Sequence, residues 1–377
     1  MRYVLGVDIG GTRVKAAVCR RTGESWADPE VVLRAESVLH VAADATVLVG
    51  TEARRAAVAE PERLARGFVR RVGDDVPFLL GDELYRPESL TAVVVGWVAD
   101  QVADIEGSEA NRVAVTHPPG WGPYRRGLLH EALKAAGFPG AVLLPGPVAA
   151  AESHLMRERV EPGTVLGVSR FGGECVDSAL LRRGATTFET IAHDEQHAPA
   201  IDDVLTEHLR ERFTGEPAQL RAVCLEAKEL LSTTGEVELL TRAEFERLIR
   251  PLLAIALAPL GRYEQLSAAL LVGGTARIPL LKALAEDSLN CRVVVDSDPG
   301  TAACRGAALA ARPPAEAPPE STALVPRITG YPEVDSAEVY GAEPAPPRPP
   351  VVLTPLEPPK RRFVPSRRGG SRNEDDE

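Results

Sequence analysis

Three times in this chain a run of strand-forming residues stops at a pair of glycines: Val7-Asp8-Ile9-Gly10-Gly11, Val168-Ser169-Arg170-Phe171-Gly172-Gly173 and Leu270-Leu271-Val272-Gly273-Gly274. The second of these begins about half-way along residues 1–312, so the chain reads as two similar lobes, each presenting a glycine turn to a shared cleft. A strand ending on two glycines lets backbone N–H groups converge with no side chain in the way, which makes a nest for an anion, and phosphate is the natural guest. Taken singly, Gly10-Gly11-Thr12-Arg13 would serve equally as a tight hairpin, and Gly273-Gly274 as a close helix–strand packing turn. Recurrence of the turn favours a phosphate-bearing ligand held between the lobes.

The segments around the turns support an α/β class, because strands rich in Val, Ile and Leu alternate with helical patterns. Val4 to Ile9 reads as a buried strand and Val14 to Cys19 as its hairpin partner. Tyr124 to Ala136 reads as a helix with Leu128, Leu129 and Leu133 on one face and Gly137 as its stop. Thr241-Arg242-Ala243-Glu244 is a capping box leading a helix whose Phe245, Leu248, Ile249 and Leu252 face a core. After Arg312 the composition changes: the remaining residues carry nearly half of the chain's 32 prolines. The expected organisation is therefore lobes over 1–163 and 164–312 and a Pro-rich tail over 313–377, either a disordered extension or a docking segment for a protein partner.

The formal net charge of -11 argues against a surface that reads a nucleic-acid backbone. Met1 runs straight into a strand without a leader-like segment, and no apolar run approaches the roughly 20 residues a membrane span needs. Five cysteines without a C-x-x-C pair indicate neither a disulfide framework nor a zinc site, and the expected location is the cytoplasm. His193 and His197, with Asp194 between them, read as part of a solvated loop before Pro199.

Over residues 3–312 the order of segments resembles the ATPase domain of the seventy-kilodalton heat-shock chaperones, the heat shock protein 70 (DnaK-type) family. Val7 to Thr12 is similar to that family's first phosphate loop, and Leu48-Val49-Gly50-Thr51-Glu52-Ala53 to the following edge of that lobe. Val113 to Pro118 is similar to its strand ending in a switch proline, with Arg126 at its relay arginine. Ala227-Lys228 to Ser232 resembles its adenosine-contacting helix, Val272 to Pro279 its adenosine motif, and Asp298-Pro299 with Gly306-Ala307-Ala308 the motif closing its fold. The resemblance implies a two-lobed actin-like ATPase (duplicated ribonuclease H-like) fold that binds ATP or ADP with magnesium. Gly10, Gly11, Thr12, Arg13, Gly172 and Gly173 would face the phosphates, and Lys228, Ser232, Gly273, Gly274 and Arg277 the adenosine. The Arg277 guanidinium plane can stack on the base. Asp8 and Asp177 would be metal-water ligands. The family's peptide-binding domain has no counterpart in the polar tail.

The chain departs from the pattern where catalysis depends on it. The family's second phosphate loop reads Asp-Leu-Gly-Gly-Gly-Thr-x-Asp, whereas here Arg170 stands for the first acid, Glu174 for the third glycine and Cys175 for the hydroxyl, with Asp177 retained. Gly146 replaces an acid, and Val69, beside Arg70, replaces a lysine directed at the γ-phosphate. His193 to Pro199 replaces a glycine-containing loop around the phosphates. In phosphoryl transfer the protein supplies positioning and charge, so hydrolysis is expected to be very slow or absent. Two other readings stay open: a non-hydrolysing binding scaffold, and a sugar kinase, whose opening Asp8-Ile9-Gly10-Gly11-Thr12 also resembles.

Overall fold

The computed structural model describes residues 2–198, 201–215 and 217–313. The expectations placed on the tail from residue 314 onward, and on Pro199, lie outside the described residues.

The apolar run before the first glycine turn forms β1 (Tyr3–Ile9), buried along its whole length. It turns at Gly10-Gly11-Thr12 into antiparallel β2 (Arg13–Thr22), which pairs on its far side with β3 (Glu30–Glu36). After helix α1 (Pro87–Glu106), β4 (Arg112–His117) lies parallel to β1. Helix α2 (Pro123–Ala135) then leads to β5 (Val142–Pro145), parallel to β4. The sheet order is β5-β4-β1-β2-β3, with the short strand Ser25–Trp26 also on β2. Gly137, at φ 89°, stops α2 in the left-handed conformation that glycine adopts without strain. Leu90, Val94 and Val98 of α1 share a core with Leu5 and Val7 of β1 on one face of this sheet.

Helix α3 (Gly146–His154) follows, and the pattern repeats. Strand β6 (Val165–Phe171) turns at the second glycine pair into antiparallel β7 (Cys175–Arg183), which pairs with β8 (Phe188–His197). Helices α4 (Ile201–Leu209), α5 (Pro217–Leu231) and α6 (Arg242–Gly261) intervene before β9 (Ala268–Val272), parallel to β6. Helix α7 (Pro279–Ser288) leads to β10 (Arg292–Val295), parallel to β9, and α8 (Ala302–Ala310) follows. The second sheet, β8-β7-β6-β9-β10, therefore has the strand directions and order of the first. The Thr241 hydroxyl accepts from the Glu244 amide at 3.3 Å, so the N-cap half of the box forms while the Glu244 carboxylate pairs with His208 and Arg212, and Phe245, Ile249 and Leu253 bury against the second lobe's core. Each such side chain contributes about 1.5–3 kcal/mol through burial.

Two helices tie the lobes together by crossing over. Helix α3 follows the first sheet, yet Val148, Ala150 and Ala151 pack with Leu166 and Val168 of β6. Helix α8 follows the second sheet, yet Ala303, Cys304, Ala307 and Ala308 pack with Val4, Ala17 and Ala114 of the first. One expectation is corrected here: residues 193–197 are strand, not loop. His193, Glu195 and His197 are the exposed set of an edge strand whose two faces are both polar, so the period of two carries no contrast in hydrophobicity.

Candidate functional site

All three glycine turns converge. At the first, the Gly10 amide donates to the Arg13 carbonyl at 3.0 Å, and at the second the Gly172 amide donates to the Cys175 carbonyl at 2.9 Å. The third touches the second, because the Thr275 hydroxyl donates to the Gly172 carbonyl at 3.5 Å. Gly273 has φ 94°, and a Cβ there would lie 2.3 Å from the Phe171 carbonyl oxygen, so only glycine fits. Gly274 differs: it is exposed and a Cβ there meets nothing within 4 Å. Gly273 shapes the turn and Gly274 borders open space.

Between the first two turns the lobes meet side by side. A Cβ on Gly11 would lie 1.9 Å from Glu174 Oε2, and one on Gly173 would lie 2.6 Å from Thr12 Cγ2. The exposed carboxylate of Glu174 thus rests on the turn where a phosphate was expected.

Beneath the turns runs a chain of buried charges. Asp8 and Lys15 are opposite each other across β1 and β2, and Arg170 and Asp177 are opposite each other at the equivalent places across β6 and β7. Arg170 Nη1 donates to Asp8 Oδ1 at 2.6 Å, and Nη2 of the same guanidinium donates to Asp177 Oδ2 at 2.7 Å. Thr116, on β4, donates its hydroxyl to Asp8 at 2.7 Å, and Lys15 Nζ lies 3.8 Å from the other Asp8 oxygen. Arg70, delivered by a short 3-10 turn over Phe68–Arg71, donates to Asp177 Oδ1 at 2.6 Å and to Glu195 Oε2 at 3.3 Å, and it also reaches the Cys175 sulfur. Glu195 in turn accepts from the Gly120 amide at 2.9 Å.

Burial works against the Asp8 charge, but Arg170 and Lys15, with the Thr116 hydrogen bond, outweigh it and hold the carboxyl below its ordinary range. Burial likewise opposes the Arg170 charge, and the carboxylates of Asp8 and Asp177 more than offset this, so the guanidinium stays firmly protonated. Burial, with the Asp177 charge, pushes the Cys175 thiol up to about 12, leaving it neutral. Gly146 completes the centre: a Cβ at this position would lie 3.1 Å from Arg170 Cζ, so the missing acid leaves the space beside which the guanidinium lies.

The magnesium expectation does not fit this arrangement. Asp8 and Asp177 are brought together, but as the two carboxylates of one guanidinium. Among the described residues no group of three or more His, Cys, Asp or Glu is gathered to hold a metal ion. On the adenosine side, Arg277 pairs with Asp298, which Arg34 of β3 also grips at 2.7 Å from the other lobe. Lys228 pairs with Asp202 of α4 at 2.5 Å, and the Ser232 hydroxyl donates to the Lys228 carbonyl at 3.1 Å, so both bond within the α4–α5 pair. The neighbouring Glu229 reaches Arg13 at 2.7 Å. Sequence reasoning singled out neither Glu195 nor Glu229, since each is one of many surface-type acids until lobe docking supplies its arginine.

His117 closes β4 beside this centre. It is 2% exposed, stacked on Trp121 with ring centroids 5.5 Å apart, and its Nδ1 lies 2.7 Å from the Pro118 carbonyl. Burial pulls its pKa down to about 4, with Arg126 and Arg170 adding to the effect and the Pro118 hydrogen bond opposing it. Between pH 6.5 and 4 the unfolded chain takes up a proton here that the folded one refuses, so this contribution is intact above pH 6.5 and lost as pH falls toward 4. The loss is expected to be about 3 kcal/mol. Urea midpoints at pH 7 and 4.5 should show this fall in the native chain and a smaller one in His117→Gln.

Two sheets of identical topology, docked at their glycine turns and joined by crossing helices, make this a two-lobed actin-like ATPase fold. No family model matches the chain. The chaperone protein DnaK of Nitrosopumilus maritimus is 24% identical over 363 residues, 82% of this chain and 56% of that protein. The chaperone protein HscA homolog of Azotobacter vinelandii is 27% identical over 361 residues, 82% and 58%. DnaK of Methanothermobacter thermautotrophicus is 24% identical over 356 residues, 81% and 59%. Over about 82% of its length this chain is thus similar to heat shock protein 70 chaperones. The chain spans a little over half the length of the curated relatives it matches. Among the described residues no helix is long and apolar enough to cross a membrane.

Proposed function

We propose that the chain is a chaperone-related nucleotide switch: ATP or ADP binds between the lobes and alters their closure, while hydrolysis is very slow or absent. The observation that carries the second half is Arg170, a protonated guanidinium between Asp8 and Asp177 where a carboxylate could have oriented water or metal. Support for the first half is the convergence of three glycine turns and the open space at Gly274. Glu174 is exposed, so an entering phosphate would turn its side chain away from Gly11 and meet backbone amides.

Calorimetric titration with ATP and ADP, followed by single-turnover hydrolysis, tests this. Binding is expected, with turnover at least about 10²-fold below that of a DnaK-type chaperone, the loss typical of one missing acid–base or positioning group. If millimolar nucleotide leaves the melting temperature unmoved, the switch reading is wrong. Ordinary turnover abolished by Asp177→Asn or Glu174→Gln would install an enzyme instead. A second reading, a scaffold that closes without nucleotide, is favoured by one observation: the Glu174 carboxylate already rests on Gly11.

A further inference from the structure

We propose that the interlobe centre is built to close without a divalent cation: the guanidinium groups of Arg170 and Arg70 supply the positive charge that joins the carboxylates of the two lobes. The duplicated topology makes this legible. Asp8 and Arg170 occupy equivalent places on β1 and β6, and Lys15 and Asp177 on β2 and β7, so the fold's internal symmetry pairs a negative–positive couple with a positive–negative one. Equal charges at those places would repel when the lobes dock. Inverted charges attract, and Arg170 bridges Asp8 and Asp177 with bonds of 2.6 and 2.7 Å. Arg70 brings a second cation from the first lobe to Asp177 and continues to Glu195.

Counted together, Asp8, Asp177 and Glu195 carry three negative charges, and Lys15, Arg70 and Arg170 three positive ones. The cluster is already neutral. The Asp8 and Asp177 side chains are 3% and 1% exposed, so their oxygens face guanidinium and hydroxyl donors rather than water. A magnesium ion demands near-ideal octahedral oxygen coordination and would have to expel a guanidinium and would still leave one uncompensated positive charge in a desolvated centre. Neither the gain of two carboxylate ligands nor their charge offsets that.

The test uses the full chain without nucleotide, so it does not depend on the switch reading. Melting temperatures are compared in EDTA and in millimolar magnesium chloride for the native chain, Arg170→Asp and Arg170→Gln. The native chain is expected to shift by no more than about 1 °C. Arg170→Asp sets a third carboxylate between the two, and should melt lower in EDTA and regain several degrees with magnesium. Should it fail to fold in either buffer, Arg170→Gln, which adds no charge, must still melt several degrees below the native chain. A magnesium-dependent rise of more than about 3 °C in the native chain, or an unchanged melting temperature in Arg170→Gln, overturns the proposal. A parallel ADP titration in both buffers keeps the two readings apart: absence of ADP binding in either defeats the nucleotide switch, while the melts alone decide the metal-free closure.

Discussion

Alanine in place of Gly306 is expected to destabilise the protein by about 3 kcal/mol or more, at the top of the range for overpacking a core. A Cβ there would lie 1.6 Å from the Ala149 carbonyl oxygen, and the obstacle is backbone, so no rotamer change relieves it. Helices α3 and α8 touch main chain to main chain at this point, and a methyl group forces them apart. Gly6 of β1 makes the matching contact between the first sheet and α8, its missing Cβ falling 2.0 Å from the Ala308 nitrogen. Because each helix packs on the sheet that the other one follows, a wedge between them also changes the angle at which the lobes meet. Urea denaturation of Gly306→Ala beside Gly274→Ala is the measurement. The second change enters open space and should cost within about 0.5 kcal/mol. Equal midpoints for the two variants would show that the helices do not cross so closely.

The helix crossing was not legible before the structure, but much of the fold around it was, and the reason is physical. Gly306-Ala307-Ala308 could be named only through the family resemblance, whereas buried strands such as Tyr3–Ile9 and Ala268–Val272 announce themselves as apolar runs. Local signals of this kind also gave the hairpin at Gly10-Gly11, the left-handed stop at Gly137 and the Thr241 cap. Strand β8 escaped because an edge strand with polar residues on both faces lacks the contrast that makes alternation visible. The steric duty at the third turn falls on Gly273 rather than Gly274, a distinction set by how closely Phe171 approaches from another strand.

The site was half legible in the same sense. Asp8, Arg170, Cys175 and Asp177 could be named because the glycine turns beside them resemble the family's phosphate loops, and Arg170 at that family's acid already argued against turnover. What the guanidinium bonds to depends on docking two sheets, as does the arrival of Arg70, Glu195 and Glu229 from remote elements. Residues so far apart in the chain leave no local pattern.

The largest electrostatic effect is expected from Arg170→Met, which removes the bridge between Asp8 and Asp177 while keeping much of the side chain's bulk. Breaking a buried ion pair by deleting one partner costs about 3–5 kcal/mol, because the remaining charge stays desolvated and uncompensated. Here two carboxylates lose their shared donor, although Lys15, Thr116 and Arg70 still contact them, which places the expected cost inside that range rather than above it. Neutralising Asp8 as well, in Arg170→Met with Asp8→Asn, removes one of the stranded charges. The double variant should therefore be more stable than the sum of the single losses predicts, by about 0.5–3 kcal/mol, the range found for residues in one network. The sign follows from the pairing: a charge that is costly alone costs less once its partner is also gone. Chemical denaturation of the four members of this cycle at pH 7 measures the coupling. Strict additivity would mean that Arg170 does not hold Asp8 across the cleft, and the lobes would then owe their closure to Arg70 and the outer pairs Arg13–Glu229 and Arg34–Asp298.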